Sequence, residues 1–362
     1  MSDARAATWA DPRALPLDEG GELAGYRLAY RTWGRLNAAA DNAVIVCHAL
    51  TGNVDADDWW GALFGPGKAL DPARDFIVCS NALGGCSGSS GPAERDAQGR
   101  RLGPRFPRLS VRDQVRAQMR LADALGVRGI ALVVGGSMGG LQALEWALLD
   151  PQRVRRVASI AASARHSSWC MAISEAQRMA LRADPAFDGG RYADDAPPAA
   201  GLAAARAIAM VSYRSPASLE RRFGRALDEQ VQGPRARRRG EPAVRGWLDH
   251  HGAALVQRFD ANSYLALLDA MDTHDLGRGR GGLDAALRAL TQPTLVVGIP
   301  DDQLYRVDEQ RALAAALPHA RFVALDSAHG HDGFLIDAEA LEPLLRAFRA
   351  SIAPPTRIGN AA

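Results

Sequence analysis

Gly135-Gly136-Ser137-Met138-Gly139 lies between the apolar run Ile130-Ala131-Leu132-Val133-Val134 and the helix-like stretch Leu141-Gln142-Ala143-Leu144-Glu145-Trp146-Ala147-Leu148. A strand, a sharp turn carrying a serine, and a helix together read as a nucleophile elbow. Such a turn strains the serine backbone, and the flanking glycines keep side chains from clashing with the neighbouring strand and helix. The Ser137 hydroxyl is thereby expected clear of the backbone at a helix N-terminus, where free N–H groups and the helix dipole favour a developing negative charge.

Outward from the elbow, continuous apolar runs recur at 43–47, 76–79, 157–160, 294–297 and 321–325, with helix-like stretches at 111–125 and 309–317. Runs of this kind suit strands buried on both faces, so the pattern is α/β with a mostly parallel sheet. The mixed polar and apolar segment 21–33 reads as part of an antiparallel pair at the start of the chain. Between about Arg165 and Leu290 strand-like runs give way to helix-length segments at 171–181, 201–210, 217–227 and 253–272. This predicts a core of residues 1–164 and 291–362, interrupted by a helical cap over the site at 165–290. The arginine-rich stretch 232–242 reads as an exposed loop within the cap, since no aromatic residue is interleaved as nucleic-acid binding would want.

Composition narrows the function classes. Apolar residues make up 47% of the 362, enough for a sizeable core, and no apolar run is long enough to span a bilayer. Lys+Arg 43 against Asp+Glu 41 gives no electrostatic reason to expect nucleic acid or membrane as a partner. The start Met1-Ser2-Asp3-Ala4-Arg5 has no basic-then-apolar leader, so a cytoplasmic location is expected. Cys47, Cys79, Cys86 and Cys170 show no metal-ligand spacing and read as free thiols, with Cys47 and Cys79 inside apolar runs.

A serine hydroxyl needs an adjacent base, and the base needs an acid to orient it. On this architecture the three follow in the order Ser, Asp or Glu, His. Asp302 comes just after the strand-like run at 294–297, and His331 just after the run at 321–325, so both sit where loops converge on a site. Asp301 is a rival for the acid and His329 for the base. His48, after the early strand at 43–47, is a weaker base candidate, because that loop normally supplies oxyanion donors. The two backbone donors are assigned to Leu50 and Met138.

Taken together these motifs resemble the homoserine O-acyltransferases of the α/β-hydrolase fold, the type that acetylates homoserine in methionine synthesis. The resemblance rests on 42–52 (NAVIVCHALTG), 65–71 (GPGKALD), 79–86 (CSNALGGC), 135–147 (GGSMGGLQALEWA), 258–264 (RFDANSY) and 330–332 (GHD), which run over nearly the whole chain. It implies the triad Ser137, Asp302 and His331, preferring Asp302 to Asp301 and His331 to His329. It also implies that Arg206, with Tyr213 seven residues on, holds the homoserine carboxylate, and that Asp332 receives its amino group.

The expected chemistry is a two-step acyl transfer through an acyl-enzyme on Ser137, with acetyl-CoA as co-substrate and no metal or bound cofactor. Succinyl-using relatives resemble D-W-R-F after the triad acid and acetyl-using ones D-W-L-F; here the stretch is Asp302-Gln303-Leu304-Tyr305, and Leu304 favours acetyl. Arg306 and Arg165 are the cations that could still serve a succinyl carboxylate. Acylation of L-serine, which differs by one methylene, and plain ester hydrolysis are the alternative readings. The resemblance further implies a homodimer formed through the cap, and the tail from Ala353 is expected to be loose.

Overall fold

The computed structural model describes residues 4–227 and 240–351, so 232–239 of the expected loop and the tail from Ala353 lie outside the described residues. Eight strands form the main sheet: β1 (Arg5–Asp11), β2 (Tyr26–Trp33), β3 (Ala43–Cys47), β4 (Phe76–Ser80), β5 (Ile130–Gly136), β6 (Val157–Ile160), β7 (Thr294–Gly298) and β8 (Ala320–Ala324). Their order across the sheet is β1-β2-β4-β3-β5-β6-β7-β8. β1 pairs antiparallel with β2, and β2 antiparallel with β4; every other pairing is parallel.

The central strands are apolar throughout because helices cover both faces. Along β3, Val44 and Val46 point into one core with Leu132, Val134 and Phe334, whereas Ala43, Ile45 and Cys47 point into the other with Val133, Trp146 and Leu313. The helices of seven residues or more are α1 (Val111–Ala124), α2 (Met138–Leu149), α3 (Ser168–Arg182), α4 (Ala199–Tyr213), α5 (Pro216–Phe223), α6 (Ala243–Val256), α7 (Ala261–Asp272), α8 (Leu283–Ala289), α9 (Val307–Ala316) and α10 (Ala338–Ala350). Ser110 starts α1 with a capping box: its hydroxyl accepts the Asp113 N–H at 3.1 Å, and the Asp113 carboxylate accepts the Ser110 N–H at 2.9 Å.

Helices α3 to α8 all lie between β6 and β7 in the chain, and no strand of the main sheet interrupts them among the described residues. Two details differ from the sequence reading. The segment 253–272 is not one helix: α6 ends at Val256, and Asp260 caps a new helix by accepting the Ser263 N–H at 2.8 Å. The end of the insertion packs downward, with Leu276, Ala286, Leu287 and Leu290 sharing the core layer of Trp146 and Leu313. The cap helices have their own core, in which Tyr213, Trp247, Tyr264 and Leu304 gather above Leu50, Met138 and Leu141. That core meets the elbow directly.

Candidate active site

Ser137 joins β5 to α2 with φ 56° and ψ −126°, a strained conformation for a residue with a side chain. Close packing enforces the turn. A Cβ on Gly135 would collide with the Gly139 backbone, and one on Gly139 would collide with the Cys47 carbonyl on β3. The Ser137 N–H donates to the Ile160 carbonyl at 2.9 Å, tying the turn to β6.

His331 Nε2 lies 2.8 Å from Ser137 Oγ, and His331 Nδ1 lies 2.8 Å from Asp302 Oδ2. The other Asp302 oxygen accepts the N–H groups of Leu304 and Tyr305 at 2.8 and 2.9 Å. Asp302 therefore accepts a hydrogen bond from Nδ1–H, which leaves Nε2 free to accept from the serine hydroxyl. All three side chains are buried. The imidazole is boxed by Tyr213, Tyr305 and Phe334, whose rings lie 5.3, 5.6 and 5.7 Å from it between centroids. Burial works against charging His331, but the attraction and hydrogen bond of Asp302, with Asp332 beside it, outweigh that and hold its pKa above the usual value.

The rivals sit elsewhere. Asp301 is exposed. His329 turns to the cap, its Nδ1 within 3.3 Å of both Arg214 and the Ser218 hydroxyl. His48 is pinned at both ring nitrogens: Nδ1–H donates to the Ala49 carbonyl at 2.7 Å, and Nε2 accepts the Ala82 N–H at 2.9 Å. It has no lone pair left for a base, and instead braces the loop that carries Leu50. Nothing in the local sequence signals that bracing, because Ala82 is distant in the chain.

The Leu50 N–H has no hydrogen-bond partner among the described residues, and Met138 begins α2, where an N–H has no partner within its helix. Arg206 on α4 stacks 5.4 Å from the Tyr213 ring centroid and has no carboxylate partner among the described residues. Tyr213 in turn lies against His331. Asp332 follows His331 and forms an ion pair with Arg214, Nε to Oδ2 at 3.2 Å. Burial pushes its pKa up, opposed by Arg214, His331 and Arg206. Arg214 is a participant that the sequence reading missed; its only signal was adjacency to Tyr213.

Leu304 is buried in the cap core. Arg306 is exposed and pairs with Asp308 at 3.1 Å, and Arg165 is exposed beside its bridge to Asp275. All four cysteines are free, with Cys47 and Cys79 buried. Among the described residues no three His, Cys, Asp or Glu side chains gather as a metal site, and no helix is long and apolar enough to cross a membrane.

The family model for the alpha/beta hydrolase fold matches residues 42–338. The chain is 48% identical over 347 residues to a homoserine O-acetyltransferase of Chloroherpeton thalassium, covering 96% of this chain and 89% of that one. With a homoserine O-acetyltransferase of Trichormus variabilis it is 49% identical over 346 residues, covering 95% and 94%. The crystal structure of homoserine O-acetyltransferase from Bacillus anthracis shares the fold, with a TM-score of 0.86 at 22% identity over 96% of this chain and 98% of that one. The acetyl esterase MekB has a TM-score of 0.82 at 29% identity over 96% and 97%.

Proposed function

Because the chain belongs to the homoserine O-acetyltransferases of the α/β-hydrolase fold, we propose that it moves an acetyl group from acetyl-CoA to the γ-hydroxyl of L-homoserine through an acyl-enzyme on Ser137. The observation that carries the mechanism is the His331 imidazole, within 2.8 Å of both the Ser137 hydroxyl and the Asp302 carboxylate.

In the first half-reaction His331 Nε2 takes the Ser137 proton as Oγ attacks the thioester carbonyl, and returns that proton to the departing CoA thiolate. Leu50 and Met138 N–H groups donate to the oxyanion, where the helix start adds a favourable dipole. In the second half-reaction His331 takes the proton of the homoserine γ-hydroxyl as that oxygen attacks the acyl carbonyl; Ser137 leaves and regains the proton. Asp302 holds the imidazole tautomer and stabilises its charged form.

Arg206 receives the homoserine carboxylate and Asp332 its ammonium. A guanidinium with no carboxylate partner among the described residues, and a mostly buried carboxylate near enough to feel its charge, supply complementary charges for an amino acid. The apolar, buried Leu304, with Arg306 turned to Asp308, supports acetyl over succinyl as the donor group. The exposed Trp169, Met179 and Val211 on the cap helices support a homodimer through the cap, and the free thiols suit the reducing cytoplasm, where methionine synthesis would use the product.

Likeness to an acetyl esterase favours hydrolysis as the second reading. Rates measured with acetyl-CoA and succinyl-CoA, each with homoserine, L-serine or water as acceptor, separate the alternatives. Acetyl-CoA with homoserine is expected to be fastest; release of acetate unaffected by homoserine would leave the esterase reading.

A further inference from the structure

We propose that Arg214 is a positioning residue that fixes the Asp332 carboxylate for the acceptor's ammonium group, and so sets the affinity for amino-acid acceptors. The inference rests on the functional reading above, which assigns Asp332 the ammonium.

Asp332 lies beside the triad histidine, largely buried, and among the described residues its carboxylate has one ionic partner, Arg214 Nε at 3.2 Å. No hydrogen bond to that carboxylate occurs among the described residues; the residue heads a short helix without capping it. A carboxylate in such a place is costly to keep charged without a fixed cation nearby. With Arg214 on Oδ2, the second oxygen stays open to an incoming ammonium.

Besides Asp332, two groups hold Arg214 itself. Its guanidinium carbon lies 5.7 Å from the Trp247 ring centroid on α6. Its NH1 donates to His329 Nδ1 at 3.3 Å, and the Ser218 hydroxyl donates to the same nitrogen at 3.3 Å. Two donors on Nδ1 place the neutral imidazole's proton on Nε2. The next residue locks the two segments together, with the Ser215 hydroxyl donating to the Ala328 carbonyl at 2.6 Å. Gly330, at φ 69°, lets the histidine loop approach so closely that a Cβ there would collide with the Ser215 backbone. Arg214 therefore links the cap to the residue after the catalytic base, in one fixed geometry.

The arrangement predicts a split in kinetics. Arg214→Gln should raise the KM for homoserine about tenfold or more, while kcat at saturating homoserine and hydrolysis of p-nitrophenyl acetate stay within about threefold. Arg214→Lys should recover part of the loss, since it restores a charge without the fork. An unchanged KM in folded R214Q would overturn the assignment, as would a parallel fall in ester hydrolysis, which marks a merely structural role. If R214Q does not fold, His329→Ala decides: a rise of about threefold in the same KM supports the proposal and no change overturns it. Wild-type protein that homoserine does not saturate at all would overturn both this assignment and the functional reading, whereas a normal wild type with a silent R214Q would overturn this one alone.

Discussion

His331 carries two opposing demands: it must be neutral to take a proton and stable when charged a moment later. Asp302 meets the second demand and, by lifting the pKa, narrows the pH range over which the first is met. The sign follows directly. kcat/KM for the acyl donor should rise with pH through a pKa above the ordinary histidine value and level off beyond it, and a pH–rate profile reads that limb. Asp302→Asn removes the acceptor that fixes the tautomer and should lower kcat by roughly 10⁴, with KM for homoserine little changed. Steady-state kinetics check this; a loss below about tenfold would contradict the role. These residues were legible because the elbow has a local signature and the order along the chain supplied the partners. Between Asp301 and Asp302, residue type and position gave no preference, and only resemblance did. The structure separates them physically: Asp302 turns inward because two backbone N–H groups, from Leu304 and Tyr305, grip one of its oxygens. His48 and Arg214 were illegible because their partners, Ala82 and Asp332, are remote in sequence.

At the scale of elements, the elbow works because β3, β5 and α2 approach more closely than side chains allow. Gly139→Ala would push a methyl group into the Cys47 carbonyl, so the strand or the helix must move. It should cost about 2 kcal/mol or more in a urea melt and remove most activity, since Met138 N–H and Ser137 move with it. Retained wild-type activity would contradict this account of the turn. The inner parallel strands were legible as apolar runs because helices bury both their faces, and β8, partly exposed at the other edge, through its Phe322-Val323-Ala324 stretch. β1 was not: its burial pattern is mostly exposed, as befits an edge strand, and RAATWAD has no apolar run. The break between α6 and α7 was also missed. Asp260 ends the run by capping α7 while its other carboxylate oxygen pairs with Arg101 at 3.0 Å, a contact 159 residues away in the chain.

Across the whole molecule, the cap is anchored to the core by buried polar groups that acid should undo. His166 sits between the Tyr305 hydroxyl at 2.9 Å and Asp272 at 3.4 Å, and His274 is buried nearby. Burial drives both pKa values from 6.5 to about 3; Arg178 adds to the effect at His166, while at His274 the Ser163 backbone and Asp275 oppose it in part. Groups depressed in this way stabilise the fold fully above pH 6.5, and the contribution is lost as pH falls toward 3. His331, raised instead, gives a contribution that is full below pH 6.5 and lost only as pH rises through its own higher pKa, so it leaves the acid limb unchanged. The unfolding free energy from urea melts should therefore fall between pH 6.5 and 4, with a slope of up to about 2–3 kcal/mol per pH unit, and His274→Gln should flatten it. An unfolding free energy independent of pH in that window would show that these histidines do not charge on unfolding.

The broadest claim is that one serine carries the acyl group between two substrates that meet under the cap. Mass spectrometry of the protein mixed with acetyl-CoA, before and after homoserine is added, tests it most directly. An acetyl group on the peptide containing Ser137 that homoserine removes, with O-acetylhomoserine appearing, is the predicted result. An unmodified Ser137, together with acetyl transfer that persists in Ser137→Ala, would contradict it.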